Sequence, residues 1–269
     1  MFKISEKVQF SKEENKMSSI ADIKKARELY YSNKSQNVKF LLDKRFSWMN
    51  RFISNDHIGI EVGSGAGFTK DFIRNKNFKL SDLGNAEHLD FKNIDAQNTG
   101  FNNESFNFVI ASNMIHHIPY PIKFFKEMNR ILKKNGRLII FESYCSVIFQ
   151  LVTMIMKHEG FDFTLNVWDE DNAKSDEYNA WHGNIAVPHL IFDNKEKFAK
   201  NLGKYFNIEY EKLTECLIFL NSGGVTSKTK YIPMSNFFLN ILHSIDKLLV
   251  KLFPNIFSMG RRIVLTKLN

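Results

Sequence analysis

Gly63, Gly65 and Gly67, three of the chain's 13 glycines, stand at alternate positions directly after the run Ile58-Gly59-Ile60-Glu61-Val62. An apolar run that stops at alternating glycines reads as a buried strand turning sharply toward a helix. Without Cβ atoms the turn takes positive φ and lets a ligand press against bare backbone. A dinucleotide-binding turn would place a third glycine at position 68, where Phe68 stands instead. Glu61, two residues before the first glycine, would repel a pyrophosphate and suits a ligand carrying an ammonium or a sulfonium. Downstream, Asn77-Phe78-Lys79-Leu80-Ser81-Asp82 alternates and ends in an acid. Asp82 thus falls close to the spacing of about 20 residues at which a carboxylate meets a ribose hydroxyl pair.

Taken together, Glu61-Val62-Gly63-Ser64-Gly65-Ala66-Gly67 resembles the first motif of the class I S-adenosylmethionine-dependent methyltransferases. Phe91-Lys92-Asn93-Ile94-Asp95-Ala96 resembles the family's acidic turn after the third strand. Ser105–Asn113 resembles the segment entering the fourth strand, with Asn107 replacing the usual acid. Ile115-His116-His117-Ile118-Pro119-Tyr120-Pro121 resembles a loop of the subgroup related to quinone-biosynthesis enzymes. Lys133-Lys134-Asn135-Gly136 departs from that family's turn, but Asn135 tolerates the left-handed conformation nearly as glycine would. The resemblance covers residues 55–145, plus Arg262–Lys267 as a last strand.

The resemblance implies an α/β fold with a doubly wound, mostly parallel, seven-stranded sheet. It also implies N-terminal helices over the pocket and a helical insertion before the last strand. The cofactor would be S-adenosyl-L-methionine. Glu61 with Gly63, Ser64, Gly65 and Gly67 would hold its methionine end, Asp82 the ribose, and Asp95 with Ala96 the adenine. Asn113 would face the methyl-transfer region. Methyl transfer from a sulfonium is an in-line displacement in which the protein chiefly aligns the partners and excludes water. An acceptor hydroxyl also needs a base, and His116 is the first candidate because its loop opens onto that region. His117 is expected to pack inward, with His158 and His182 in reserve.

The elements that must position these residues follow from periodicity. Helices are expected over residues 21–31, 36–53 and 121–132, the last with Pro121 in its first turn. Arg137–Glu142 reads as a fifth strand and Phe206–Leu220 as a sixth. Ser146–Lys157 is apolar apart from a narrow polar stripe, which indicates burial. Ser235–Phe253 carries one broad apolar face and stops at Pro254. That face suits core packing, a homodimer, a lid over a greasy substrate or, with Lys247 and Lys251, a peripheral membrane contact. The first twenty residues read as loosely ordered. The chain thus divides into a helical cap at 1–54, a cofactor-binding core at 55–145, and acceptor-side elements with the rest of the sheet at 146–269.

Composition narrows the partners. A net charge of +8 on 269 residues allows an acidic ligand, but the lysines are scattered, so no nucleic-acid partner is expected. Two cysteines, Cys145 and Cys216, cannot build a disulfide framework, and reduced cytoplasmic thiols are the simplest reading. No metal site is expected: His158-Glu159-Gly160 lacks the second histidine of a zinc motif. Met1–Ser18 is charged, and no secretory leader is expected. The activity expected is methyl transfer to an O or N atom of a small molecule, whether sugar, lipid-linked or quinone-like. A non-catalytic relative that binds cofactor or partner is the first alternative. A nicotinamide-dependent oxidoreductase is the second, and Phe68 and Glu61 argue against it.

Overall fold

The computed structural model describes residues 2–14, 18–33, 36–225 and 229–268. In chain order the elements are β1 (Lys7–Val8), α1 (Ile20–Asn33), α2 (Gln36–Phe46), β2 (Gly59–Val62), β3 (Phe78–Leu80) and β4 (Phe106–Ser112). They continue through α3 (Pro121–Ile131), β5 (Leu132–Ser143), α4 (Val147–Met156), β6 (Phe161–Asp162), α5 (Val187–Phe192) and α6 (Lys195–Leu202). The chain closes with β7 (Phe206–Thr214), α7 (Leu217–Leu220), α8 (Asn236–Leu252), α9 (Pro254–Phe257) and β8 (Gly260–Lys267).

The main sheet has the order β3-β2-β4-β5-β8-β7. The first four strands run parallel, and β8 runs antiparallel to both neighbours. Among the described residues this sheet has six strands where seven were expected. The missing edge strand is reduced to one bridge, Ser81 with Phe91. Asn93, in the left-handed region at φ 57, turns the chain away and its N–H donates to Gly84 O, so no extended run can form there.

Side chains alternate between the two faces of the sheet and sort the core into two layers. Val109, Ala111, Leu138 and Ile140 point to the layer covered by Phe124, Phe125, Met128 and Ile131 of α3. Phe108, Ile110, Ile139 and Phe141 point to the other, where Val38, Leu42 and Phe46 of α2 pack. The crossover from β2 to β3 has no α-helix; Phe68–Asp71 makes a short 3₁₀ turn instead. The N-terminal helices supply the cover that a full crossover helix would have given that face.

Other boundaries moved for identifiable reasons. The second expected helix ends at Phe46 and continues as a 3₁₀ segment over Ser47–Phe52. The expected turn at Asn135 (φ 61) is a register break inside a longer β5, between the pairs Phe106–Leu132 and Phe108–Arg137. The expected sixth strand stops at Thr214, because the N–H groups of Cys216, Leu217 and Ile218 donate to the buried Asp246 carboxylate and start α7. Pro254 does end α8, but it opens another short helix. The broad apolar face of α8 is not the face that packs inward: Leu239, Asp246 and Val250 are buried, while Phe237, Phe238, Leu248 and Leu252 are exposed.

The N-terminus is less loose than expected. β1 pairs antiparallel with β6, and the Ile4 N–H donates to Gln150 Oε1. Residues 1 and 15–17 of that stretch lie outside the described residues. Among the described residues, no helix is long and apolar enough to cross a membrane.

Candidate active site

The glycine turn is held from several sides. Gly63 lies at φ 64, where a Cβ would sit 3.0 Å from the Met114 side chain, whereas nothing lies near a Cβ at Gly65. That open side faces a cavity of about 930 Å³. Ser64 Oγ donates to Ser81 O at 3.0 Å and ties β2 to the end of β3. Asp82 accepts from Gly65 N–H through Oδ2 and from Gly84 N–H through Oδ1, both at 2.8 Å. His88 Nε2 meets Gly65 O at 2.9 Å, and the Arg27 guanidinium of α1 donates to Ala66 O. The turn is therefore shaped before any ligand arrives.

Glu61 closes the floor. Its residue surface is 2% exposed, and the Thr69 hydroxyl donates to its Oε2. Burial pushes its pKa up to about 8, against the smaller opposing effect of hydrogen bonds from Thr69 and Ser64. A carboxyl so placed gains a great deal from a cation next to it. The turn and its acid suit a ligand that is cationic near bare backbone.

All ten expected site residues, from Glu61 to His116, line this one cavity. Asp95 Oδ1 accepts from Gln97 N–H at 2.8 Å, which shapes the turn beside Ala96. Asn113 sits in the left-handed region at φ 49, and its N–H donates to Phe141 O at 2.7 Å. That strain lies at the carboxyl end of β4, where the loop must open over the cavity.

His116 lies between two carboxylates. Its Nδ1 lies 2.8 Å from Glu142 Oε2 and its Nε2 3.3 Å from Glu159 Oε2. Burial by itself would lower the pKa, but the carboxylates Glu142 and Glu159 outweigh it and hold it near 10. Both ring nitrogens of His116 thus already face carboxylate oxygens. The His117 ring lies tilted beside it, with ring centroids 4.2 Å apart and Nε2 3.5 Å from Glu159 Oε1.

Two acids that sequence reasoning did not single out organise this end. Glu142, fully buried at the end of β5, accepts from the Met114 and Ile115 N–H groups at 2.8 and 2.6 Å. Its position at the carboxyl end of a parallel strand was a usable signal. Glu159 had none, because it lies in the turn between α4 and β6 and meets the histidines only through folding. The β1–β6 pairing fixes the chain directly after it. His158 and His182 also belong to this end of the chain; His158 lines the cavity, while His182 faces Asp176 and Glu13.

A family model described as a methyltransferase domain matches residues 68–140. No curated protein matches the chain. Among solved structures, it is similar to an S-adenosylmethionine-dependent methyltransferase from Methanosarcina mazei at 15% identity and TM-score 0.45, covering 82% of this chain and 97% of that one. A Thermotoga maritima methyltransferase, described as a possible histamine N-methyltransferase, gives 15% identity and TM-score 0.46 over 93% of this chain and 100% of that one. Phosphoethanolamine N-methyltransferase 2 of Haemonchus contortus, solved with S-adenosyl-L-methionine, gives 15% identity and TM-score 0.45 over 93% and 58%. At these scores the likenesses carry no argument about substrate. Residues 68–140 thus match a methyltransferase domain, which spans the parallel strands that follow the glycine turn and its buried acid.

Proposed function

We propose that the protein methylates an O or N atom of a small-molecule acceptor that carries a polar group on an apolar body. The observation that carries this reading is that one cavity is lined by two unlike sets of residues. One set is the glycine turn with the buried Glu61; the other comprises the apolar Phe149, Val152, Met156 and Trp181 together with His117 and Glu159. S-adenosyl-L-methionine, when bound, supplies an electrophilic methyl group on a sulfonium.

The chain's own residues do the rest. Glu61 and the backbone of Gly63, Ser64, Gly65 and Gly67 would hold the cationic methionine end. Asp82 has carboxylate lone pairs beyond those given to Gly65 and Gly84, and these would accept from the ribose hydroxyls. Asp95 and Ala96 would border the adenine, and Asn113 the transfer region. The apolar walls exclude water and hold the acceptor in line. His116, held between both carboxylates, acts as a positioning residue at the acceptor end.

The test is calorimetric titration with S-adenosylmethionine, followed by a methyl-transfer screen over sugar, lipid-linked and quinone-like acceptors. Saturable cofactor binding with transfer to at least one acceptor class supports the reading. Absence of cofactor binding to the folded protein would end it.

A further inference from the structure

We propose that His116, His117 and Glu159 form a binding site for one divalent transition-metal ion of the zinc class at the acceptor end of the cavity. Each residue offers one ligand atom, and the three atoms lie within 4.8 Å of one another. The two imidazole Nε2 atoms stand 3.3 and 3.5 Å from the Glu159 oxygens. Adjacent ligands of a tetrahedral ion with bonds of about 2.1 Å are separated by about 3.4 Å. Each histidine thus faces one Glu159 oxygen at about that spacing, and the three residues are gathered closely enough to converge on one ion.

The surroundings fit as well. Metal-bound histidines commonly give their other ring nitrogen to a carboxylate, which fixes the tautomer. His116 does this: Nδ1–H donates to the buried Glu142 at 2.8 Å, and Nε2 faces Glu159. Two buried carboxylates, Glu142 and Glu159, bring two negative charges that one divalent ion balances with both imidazoles neutral. The backbone is pinned around the donors, since Asn184 N–H donates to His116 O and Ser175 Oγ to His117 O. Gly183 lies so close that a Cβ there would come within 2.8 Å of the His116 ring. Imidazole with carboxylate selects zinc, iron(II) or their neighbours over magnesium or calcium.

All three donors line the cavity, so three protein ligands leave a coordination position for an acceptor oxygen or a water. That role rests on the methyl-transfer reading; ion binding itself does not.

The experiment uses the full chain without an affinity tag, stripped with a chelator and titrated with Co²⁺ while visible d–d absorption is followed. One equivalent is expected, and Glu159→Gln and His117→Asn should each weaken binding by about tenfold or more. S-adenosylmethionine calorimetry on the same samples reports that the variants are folded. Should Glu159→Gln fail to fold, His117→Asn decides alone, because its ring is partly exposed. No saturable Co²⁺ uptake by the wild type, or wild-type affinity in the folded variants, overturns the proposal. Cofactor binding without Co²⁺ uptake sinks only the metal site, and Co²⁺ uptake without cofactor binding sinks only the methyl-transfer reading.

Discussion

At one end of the cavity, Gly63 to Gly67 present backbone, braced by Asp82 and His88 from the next strand and its loop. At the other, His116, Glu142 and Glu159 present side chains drawn from three separate stretches of chain. The first end is made from near neighbours, so its shape survives changes far away. The second exists only while β5, the loop after β4 and the β1–β6 pair all keep their places. Damage at the glycine end should therefore surface as lost cofactor affinity, and damage at the histidine end as lost stability and lost acceptor turnover.

The contrast breaks if a change at one end is felt equally at the other. The largest effect is expected for Glu142→Ala, which strands His116 and two backbone N–H groups in the interior. Breaking a buried charged pair of this kind costs about 3–5 kcal/mol, measurable by urea unfolding; wild-type stability would show that the loop is pinned by something else. Next comes Glu61→Gln, with effects of opposite sign. Cofactor affinity should fall by about 2–3 kcal/mol, as for a lost charge-assisted hydrogen bond, while the cofactor-free protein should become more stable near pH 8. If both quantities fell together, Glu61 would be a structural acid and not the cation's partner.

Asp82→Ala should weaken cofactor binding by about 1–3 kcal/mol, with a smaller loss of stability from the unbraced Gly65 N–H. Calorimetry and thermal melts on one preparation separate the two. The pH dependence sharpens the same comparison. The Glu61 carboxyl is raised from its ordinary 4.5 to about 8 by burial, so the folded protein keeps a proton that the unfolded chain has released. Its contribution to stability is complete below 4.5 and is lost as the pH rises through 8. Melting temperature should fall more steeply across that window in the wild type than in Glu61→Gln, and parallel curves would contradict the assignment. The smallest effect belongs to His88→Ala, which removes one contact to Gly65 O. It should cost about 1 kcal/mol of cofactor affinity and leave acceptor-side measurements unmoved.

How much was legible in the chain follows from the same division. The residues of the glycine end were readable because the motif is contiguous and each glycine reports a backbone requirement. Glu61 and Asp82 were readable because their spacing from that turn is set by the geometry of adjacent parallel strands. The residues of the histidine end were half readable. His116 was found, but its partners were not, since no local pattern joins Glu142 and Glu159 to it. Likewise Ser235–Phe253 announced an apolar face, but Asp246, drawn inward to cap α7, turned a different face toward the core.

By itself, then, the amino-acid order determined the strand and helix periods, the glycine turn, and the acid beneath it. These depend on dihedral preferences and neighbours a few residues apart, which act in any context. Tertiary structure decided that the sheet stops at six strands, that β1 buttresses the turn carrying Glu159, and that two histidines share one carboxylate. Those outcomes rest on burial and long-range pairing, where desolvation and the arrival of distant charges set the behaviour of each group.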